Sequence, residues 1–138
     1  MTPCPGRDPL RSSPRLLKAA PGPAGAKGRG LFAVAPISPG EIIDENCTLD
    51  LDAAQCMSLE PTPINDHYFA HPGDDTRGLL VLGHASLCNH ADDPNADTGF
   101  RFDDRLGWIV VLTARRAIDA GEEITRRYAC PPWFEITG

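Results

Sequence analysis

Short apolar runs cut by glycine and proline set the tightest limit on what this chain can fold into. "GLFAVAPI" and "EIIDEN" read as two strands joined by the turn signal "SPG". "RGLLVLGHASLCNH" is an apolar strand that runs into a polar loop. "TGFRF" and "LGWIVVLTARRAI" make a hairpin around "DDRLG", and "DAGEEI" is a turn followed by a strand start. "RLLKAA", from Arg15 to Ala20, is a candidate first strand, and "PGPAGAKGRG" after it carries glycine and proline at a density only a loop tolerates. Residues 47–72 have weak periodicity and read as loop, with one helical turn near "DAAQCMSLE". No internal repeat and no heptad pattern stands out. Strands this short and this closely spaced predict a mostly β fold of several small sheets.

At 138 residues the chain is one domain with room for one core. Residues 1–14 are rich in proline, arginine and serine and are expected to be an unordered tail, leaving 15–138 as the domain. The net charge of -6 speaks against a nucleic-acid footprint; an acidic surface suits a basic partner, and so modest an excess serves solubility equally well. No apolar run approaches the length of a membrane span, and the start lacks the apolar stretch of a signal peptide. The five cysteines, at 4, 47, 56, 88 and 130, form no C-x-x-C pair. That fits a reducing, cytoplasmic setting better than a disulfide framework.

"GHASLCNHADDPNA", Gly83 to Ala96, concentrates chemistry-bearing residues. His84, Cys88 and His90, with Asp92 or Asp93, offer a zinc-like donor set. Their spacing is irregular, however, and no second cluster answers them. His67 and His71 would share a helix face, but Pro72 and Gly73 follow at once. Cys88 sits in an apolar run and reads as a small packed hydrophobe rather than a nucleophile. "GAKGRGLF" lacks the Gly-Lys-Ser/Thr ending of a phosphate loop and leads into a strand. What remains is a shaped loop stiffened by Pro94, with Asn89 and Asn95 placed to bond local backbone and Asp92 and Asp93 solvated.

Taken in order, "GRGLFA", "ISPGEII", "NHADDPN" and "AIDAGEEITRRY" resemble the SET-domain family of protein lysine methyltransferases, over roughly Arg15 to Tyr128. Compact bacterial-type members without a cysteine-rich closing module are most similar. The resemblance implies a β-rich fold of small sheets with a pseudoknotted C-terminal segment. It implies methyl transfer from S-adenosyl-L-methionine to an accessible lysine of a protein substrate, of which a basic tail is one kind. By the same resemblance Lys27, Arg29, Gly30, Asn89 and His90 would bind the cofactor. Tyr128 would stand at the methyl-transfer site, Tyr68 and Phe69 would line the lysine channel, and Phe32 would pack in the core. No metal is implied.

Three departures accompany the resemblance. The family's Asn-His-Ser is Asn-His-Ala, so Ala91 lacks a hydroxyl and one hydrogen bond worth about 1 kcal/mol. Arg126 and Arg127 stand where many members carry an aromatic and an acid. The closing zinc module is reduced to Cys130 and "PPWFEITG", where Trp133 or Phe134 is expected to cover the cofactor. These departures keep a second reading open, a catalytically weak SET-like module that binds a basic protein segment.

Overall fold

The computed structural model describes residues 17–127, apart from the side chain of Asp66. The tail expected over residues 1–14, and Tyr128, Trp133 and Phe134, lie outside the described residues. The strands are β1 (Ala19–Pro23), β2 (Arg29–Ala33), β3 (Ile42–Leu51), β4 (Tyr68–Ala70), β5 (Gly78–Leu82), β6 (Asn89–His90), β7 (Ala96–Asp103), β8 (Gly107–Ala114) and β9 (Glu123–Arg126). They build two sheets, of order β4-β5-β3-β8-β7 and β1-β2-β9-β6. The mostly β fold of small sheets predicted from the sequence is present. Among the described residues no helix is long and apolar enough to cross a membrane.

The larger sheet follows the apolar pattern closely. β8 lies between β3 and β7, so both its edges are paired; adjacent Ile109 and Val110, which point to opposite faces, are both buried, as are Leu112 and Ala114. The β7–β8 hairpin pairs Asp103 with Gly107. Its turn is held by the Asp103 carboxylate, which accepts from the backbone N–H groups of Arg105 (2.8 Å) and Leu106 (2.9 Å). Those two donors hold the Asp103 carboxyl below its ordinary pKa.

Three boundaries differ from expectation. The first strand is "AAPGP" rather than "RLLKAA". β1 lies at a sheet edge, where Pro21 and Pro23 need no ladder donor on their open side. Residues 47–51, expected as loop, extend β3 because they pair with β5 from Cys47↔Leu82 to Leu51↔Gly78. The helical turn is a full helix, α1 (Ala53–Leu59), started by a capping box in which Asp52 accepts from the Gln55 N–H and the Gln55 side chain accepts from the Asp52 N–H.

A short repeat also emerges that the sequence reading did not find. "AVAPISPGE" after β2 and "ARRAIDAGE" after β8 share the pattern Ala-x3-Ile-x2-Gly-Glu. The two copies clasp each other with near two-fold symmetry. Ile37 and Ile118 exchange both backbone bonds at 2.9 Å. Gly40 N–H donates to Ala114 O (2.8 Å), and Gly121 N–H donates to Ala33 O (2.7 Å). Glu41 Oε1 accepts from Ser38 N, and Glu122 Oε1 accepts from Asp119 N, both at 3.0 Å. Gly40 and Gly121 have φ of 80° and 90°, the left-handed region that favours glycine.

The core gathers Leu31, Ile37, Ile43, Phe69, Val81, Cys88, Val110, Leu112, Ile118 and Ile124. Phe32 is half-buried; Leu31 beside it takes the core position instead. Cys88 is 3% exposed, in agreement with its reading as a packed hydrophobe, and burial pushes its thiol from 9.0 up to about 12.

Two outcomes follow for stability. Gly40→Ala and Gly121→Ala should each cost about 1 kcal/mol, by similar amounts, in chemical denaturation. Unequal losses would break the symmetry of the clasp. For Cys88 the folded pKa lies above the unfolded one, so its contribution is complete below about pH 9 and is lost as pH rises toward 12. The stability difference between wild type and Cys88→Ala should therefore shrink between pH 8 and pH 10.5, measured by urea midpoints.

Candidate active site

β9 is the strand that builds the site. It pairs antiparallel with β2 (Leu31↔Ile124, Phe32↔Glu123) and parallel with β6 (Asn89↔Thr125, His90↔Arg126). The parallel pair joins stretches of chain separated by the whole β7–β8 hairpin. Side chains alternate along β9: Ile124 and Arg126 are buried, while Glu123 and Thr125 are half-buried on the other face.

Glu123 is the centre of the first face. Its Oε1 accepts from Lys27 Nζ at 2.7 Å, and its Oε2 accepts from Asn89 Nδ2 at 2.7 Å. Asn89 Nδ2 also donates to the Arg29 carbonyl at 3.1 Å. The Lys27 and Glu123 side chains are 25% and 19% exposed, so water screens this pair less than a surface ion pair. Gly30, between them in sequence, is buried. A Cβ there would meet Glu123 Oε2 at 2.6 Å and Asn89 Nδ2 at 2.9 Å. A side chain here would push the Glu123 carboxylate and the Asn89 amide out of their bonds, so glycine lets the polar cluster close directly over its backbone.

Asn95 fixes the loop that carries Asn89. It is 2% exposed, donates from Nδ2 to Glu123 O (2.8 Å) and accepts at Oδ1 from Thr125 N (2.9 Å). The local loop bonds expected of Asn89 and Asn95 are thus long-range bonds to β2 and β9. Ala91, despite its missing hydroxyl, ties the loop to the strand through its N–H, which donates to Arg126 O at 3.0 Å. Asp92 and Asp93 are solvated, with side chains 93% and 90% exposed. His90 Nε2 lies 2.9 Å from Asp92 Oδ1.

The second face of β9 carries Arg126. It is 7% exposed, and its guanidinium carbon lies 3.7 Å from the centroid of the Phe69 ring. Phe69 is in the core; Tyr68, its neighbour on β4, has the opposite orientation, and its Oη donates to Asn65 Oδ1 at 3.1 Å. Burial raises the Tyr68 phenol above its ordinary pKa.

Of the residues singled out from the sequence, Lys27, Arg29, Gly30 and Asn89 come together, with His90 adjoining on β6. Phe69 joins through Arg126, and Tyr68 does not reach that contact. Tyr128, Trp133 and Phe134 lie outside the described residues. Glu123 and the buried Arg126 were not identified as site residues. Glu123 bonds to partners 96 and 34 residues away, and nothing in "GEEI" marks it out from Glu122.

The candidate metal donors are engaged separately. His84 Nδ1 is 3.6 Å from Asp44, His67 Nδ1 is 3.1 Å from Ser86 O, and His71 stacks edge-on against Trp108 while lying 3.5 Å from Asp50. Among the described residues no group of three or more histidine, cysteine or acidic side chains is arranged to hold a metal ion.

No curated protein matches the chain by sequence. Among solved structures it is similar to that of a candidate histone methyltransferase of Plasmodium falciparum, with a TM-score of 0.68 and 25% identity, covering 87% of this chain and 100% of that one. It is also similar in fold to a chain of Chaetomium thermophilum polycomb repressive complex 2, in an autoinhibited conformation bound to S-adenosylmethionine, with a TM-score of 0.70 and 21% identity. That likeness covers 83% of this chain and only 15% of the longer one. The family model of the SET domain matches residues 28–129, from the glycine just before β2 to just past β9. The chain belongs to the SET domain family.

Proposed function

We propose that this protein is an S-adenosyl-L-methionine-dependent protein-lysine N-methyltransferase. The observation that carries the reading is the cluster of Lys27, Gly30, Asn89 and Glu123, drawn from three segments of the chain. The family and the Plasmodium falciparum structure support the type of chemistry, and the likeness to a structure bound to S-adenosylmethionine supports the choice of cofactor.

The cluster fits such a ligand. An ammonium, a carboxylate and an amide stand around a side-chain-free backbone, which suits a zwitterionic amino-acid head carrying an additional positive sulfur. Lys27, the backbone at Arg29 and Gly30, and Asn89 would hold it, with His90 on the same β6 strand. Trp133 and Phe134 are proposed to cover it. When bound, the cofactor supplies an electrophilic methyl on a sulfonium sulfur.

The chain's own work is alignment and proton control. A lysine amine must be neutral to attack, against a reference pKa of about 10.4. Aromatic, water-poor surroundings at Tyr68 and Phe69 would disfavour the ammonium. The Tyr128 hydroxyl would orient the amine, and alignment of this kind is worth roughly 7 kcal/mol or more at best. A basic protein tail suits the exposed carboxylates of Asp92 and Asp93 and the net charge of -6. Cys47, Cys56 and Cys88 are free thiols, which supports a reducing, cytoplasmic setting.

The second reading, a SET-like binding module without turnover, draws on the buried Arg126 where many members carry an aromatic. Incubation of the full chain with core histones and labelled methyl donor separates the two. The enzyme reading expects label on lysine, a turnover reduced about 100-fold by Tyr128→Phe with cofactor affinity kept, and a cofactor affinity lowered about tenfold by Asn89→Ala. Tight histone binding with no label incorporated would favour the module. Full turnover in Tyr128→Phe would remove that residue from the mechanism.

A further inference from the structure

β7 is an edge of the larger sheet, and nothing in the site uses it. The order β4-β5-β3-β8-β7 leaves one side of β7 without a strand among the described residues. Exposed edges are commonly broken by a proline or a bulge. β7, "ADTGFRFD", has neither over its eight residues, and its register against β8 is unbroken from Ala96↔Ala114 to Asp103↔Gly107.

The pairing with β8 fixes which backbone groups face outward. Arg115 N–H donates to Asn95 O at 2.8 Å, so Asn95 is turned toward β8. Ala114, opposite Ala96, is turned the other way and bonds Gly40 N at 2.8 Å and Glu41 O at 2.9 Å. In an antiparallel ladder bonded and non-bonded pairs alternate. Asp97, Gly99, Arg101 and Asp103 therefore bond to β8, while Thr98, Phe100 and Phe102 turn their N–H and C=O groups to the open side. Side chains divide by the same alternation. Asp97, Gly99 and Arg101 are exposed on one face, and Phe100 packs against the core on the other.

We propose that β7 is a self-pairing edge, on which a second copy of this chain docks as an antiparallel strand about a two-fold axis at Gly99. Two copies exchange bonds only where outward-facing residues oppose each other, so the axis falls on a residue and not between two. Charge then selects the residue. With the axis at Gly99, Asp97 of each copy lies opposite Arg101 of the other, and opposite charges meet twice. With the axis at Phe100, Asp97 faces Asp103 and the charges repel. At Arg101 two guanidinium groups meet, and at Thr98 neither charge finds an opposite one. Asp97 and Arg101 each have a partner in their own chain, Arg115 at 3.6 Å and Glu45 at 3.1 Å. Their side chains are still 66% and 46% exposed, and a guanidinium has donors for a second carboxylate. A Cβ added at Gly99 meets nothing within 4 Å, so the space beside the axis is open. An eight-residue edge makes a small interface, so the dimer is weak and concentration-dependent. The pairing is independent of the methyltransferase reading.

Sedimentation velocity of the full chain from about 5 to 500 µM should show a monomer–dimer equilibrium. Thr98→Pro removes an outward N–H that makes no bond to β8 and should weaken association about tenfold. Asp97→Lys and Arg101→Glu should each do the same alone. A one-to-one mixture of those two variants should restore the dimer, because both facing pairs are again of opposite sign. Gly99→Cys reads the register: its thiols would face each other across the axis in a non-bonded pair, about 4.5 Å apart at Cα and within disulfide reach. Mild oxidation should cross-link Gly99→Cys well above wild type and above Leu106→Cys, an exposed control at the hairpin tip. If Arg101→Glu fails to fold by circular dichroism, Asp97→Lys, Thr98→Pro and the cross-link decide the matter. A monomer at every concentration overturns the inference. A dimer that survives both Thr98→Pro and Asp97→Lys overturns it by placing the contact elsewhere, and one strengthened by Asp97→Lys overturns the axis at Gly99. A monomer whose affinity for a basic single-lysine peptide falls in Thr98→Pro also overturns it, giving the edge to an extended acceptor.

Discussion

The clasp between the two Ala-x3-Ile-x2-Gly-Glu turns is the interaction on which the rest of the arrangement depends. Ile37 and Ile118 are 2% and 1% exposed and exchange two backbone bonds, so neither turn can leave without exposing the other's isoleucine and breaking its ladder. Each turn then hands its chain on. Ala33 N–H donates to Glu122 O at 2.9 Å, one residue before β9 begins, and this sets the register in which Phe32 faces Glu123. A β9 shifted by one residue would turn Glu123 into the core and Arg126 away from Phe69. The site is therefore a consequence of register, and register is a consequence of the clasp.

From that register come two faces with different chemistry. Glu123 gathers an ammonium and an amide over a bare glycine backbone, a polar recess between three segments that are distant in sequence. Arg126, three residues on, lies among core residues against Phe69. A strand of four residues separates the two environments. Asn95 makes the separation rigid, since it satisfies the β9 backbone at both Glu123 O and Thr125 N from a buried position. Removing such an anchor leaves two partly buried backbone groups without this partner, which costs more than the bonds themselves contribute.

The strands of the larger sheet were legible because periodicity and burial agree there. "LGWIVVLTA" is apolar throughout and sits centrally, and "DDRLG" closes its hairpin with a carboxylate at the turn. β1 was misplaced because proline suggests a loop, and only the knowledge that the strand is at an edge restores it. The end of β3 was missed because Leu51 owes its conformation to Gly78, 27 residues away. At the site, glycine-rich and "NH" stretches could be read from residue type and order. Glu123 and Arg126 could not. The first acts through partners 34 and 96 residues away, and the second through a parallel pairing that no local pattern encodes. The clasp was written in the sequence as a repeat, but at nine residues, with prolines at two positions of one copy where the other has alanine, it was too short to stand out before the two copies were seen together.

In the proposed function, Glu123 organises a cofactor recess from Lys27, Gly30 and Asn89. Calorimetric titration of wild type and Glu123→Gln with S-adenosyl-L-homocysteine tests it without knowledge of the substrate. The account predicts saturable one-to-one binding by wild type and about tenfold weaker binding by the variant, because the ammonium and the amide lose the charge that positions them. Equal affinities in two folded proteins, or no binding by wild type, would contradict it.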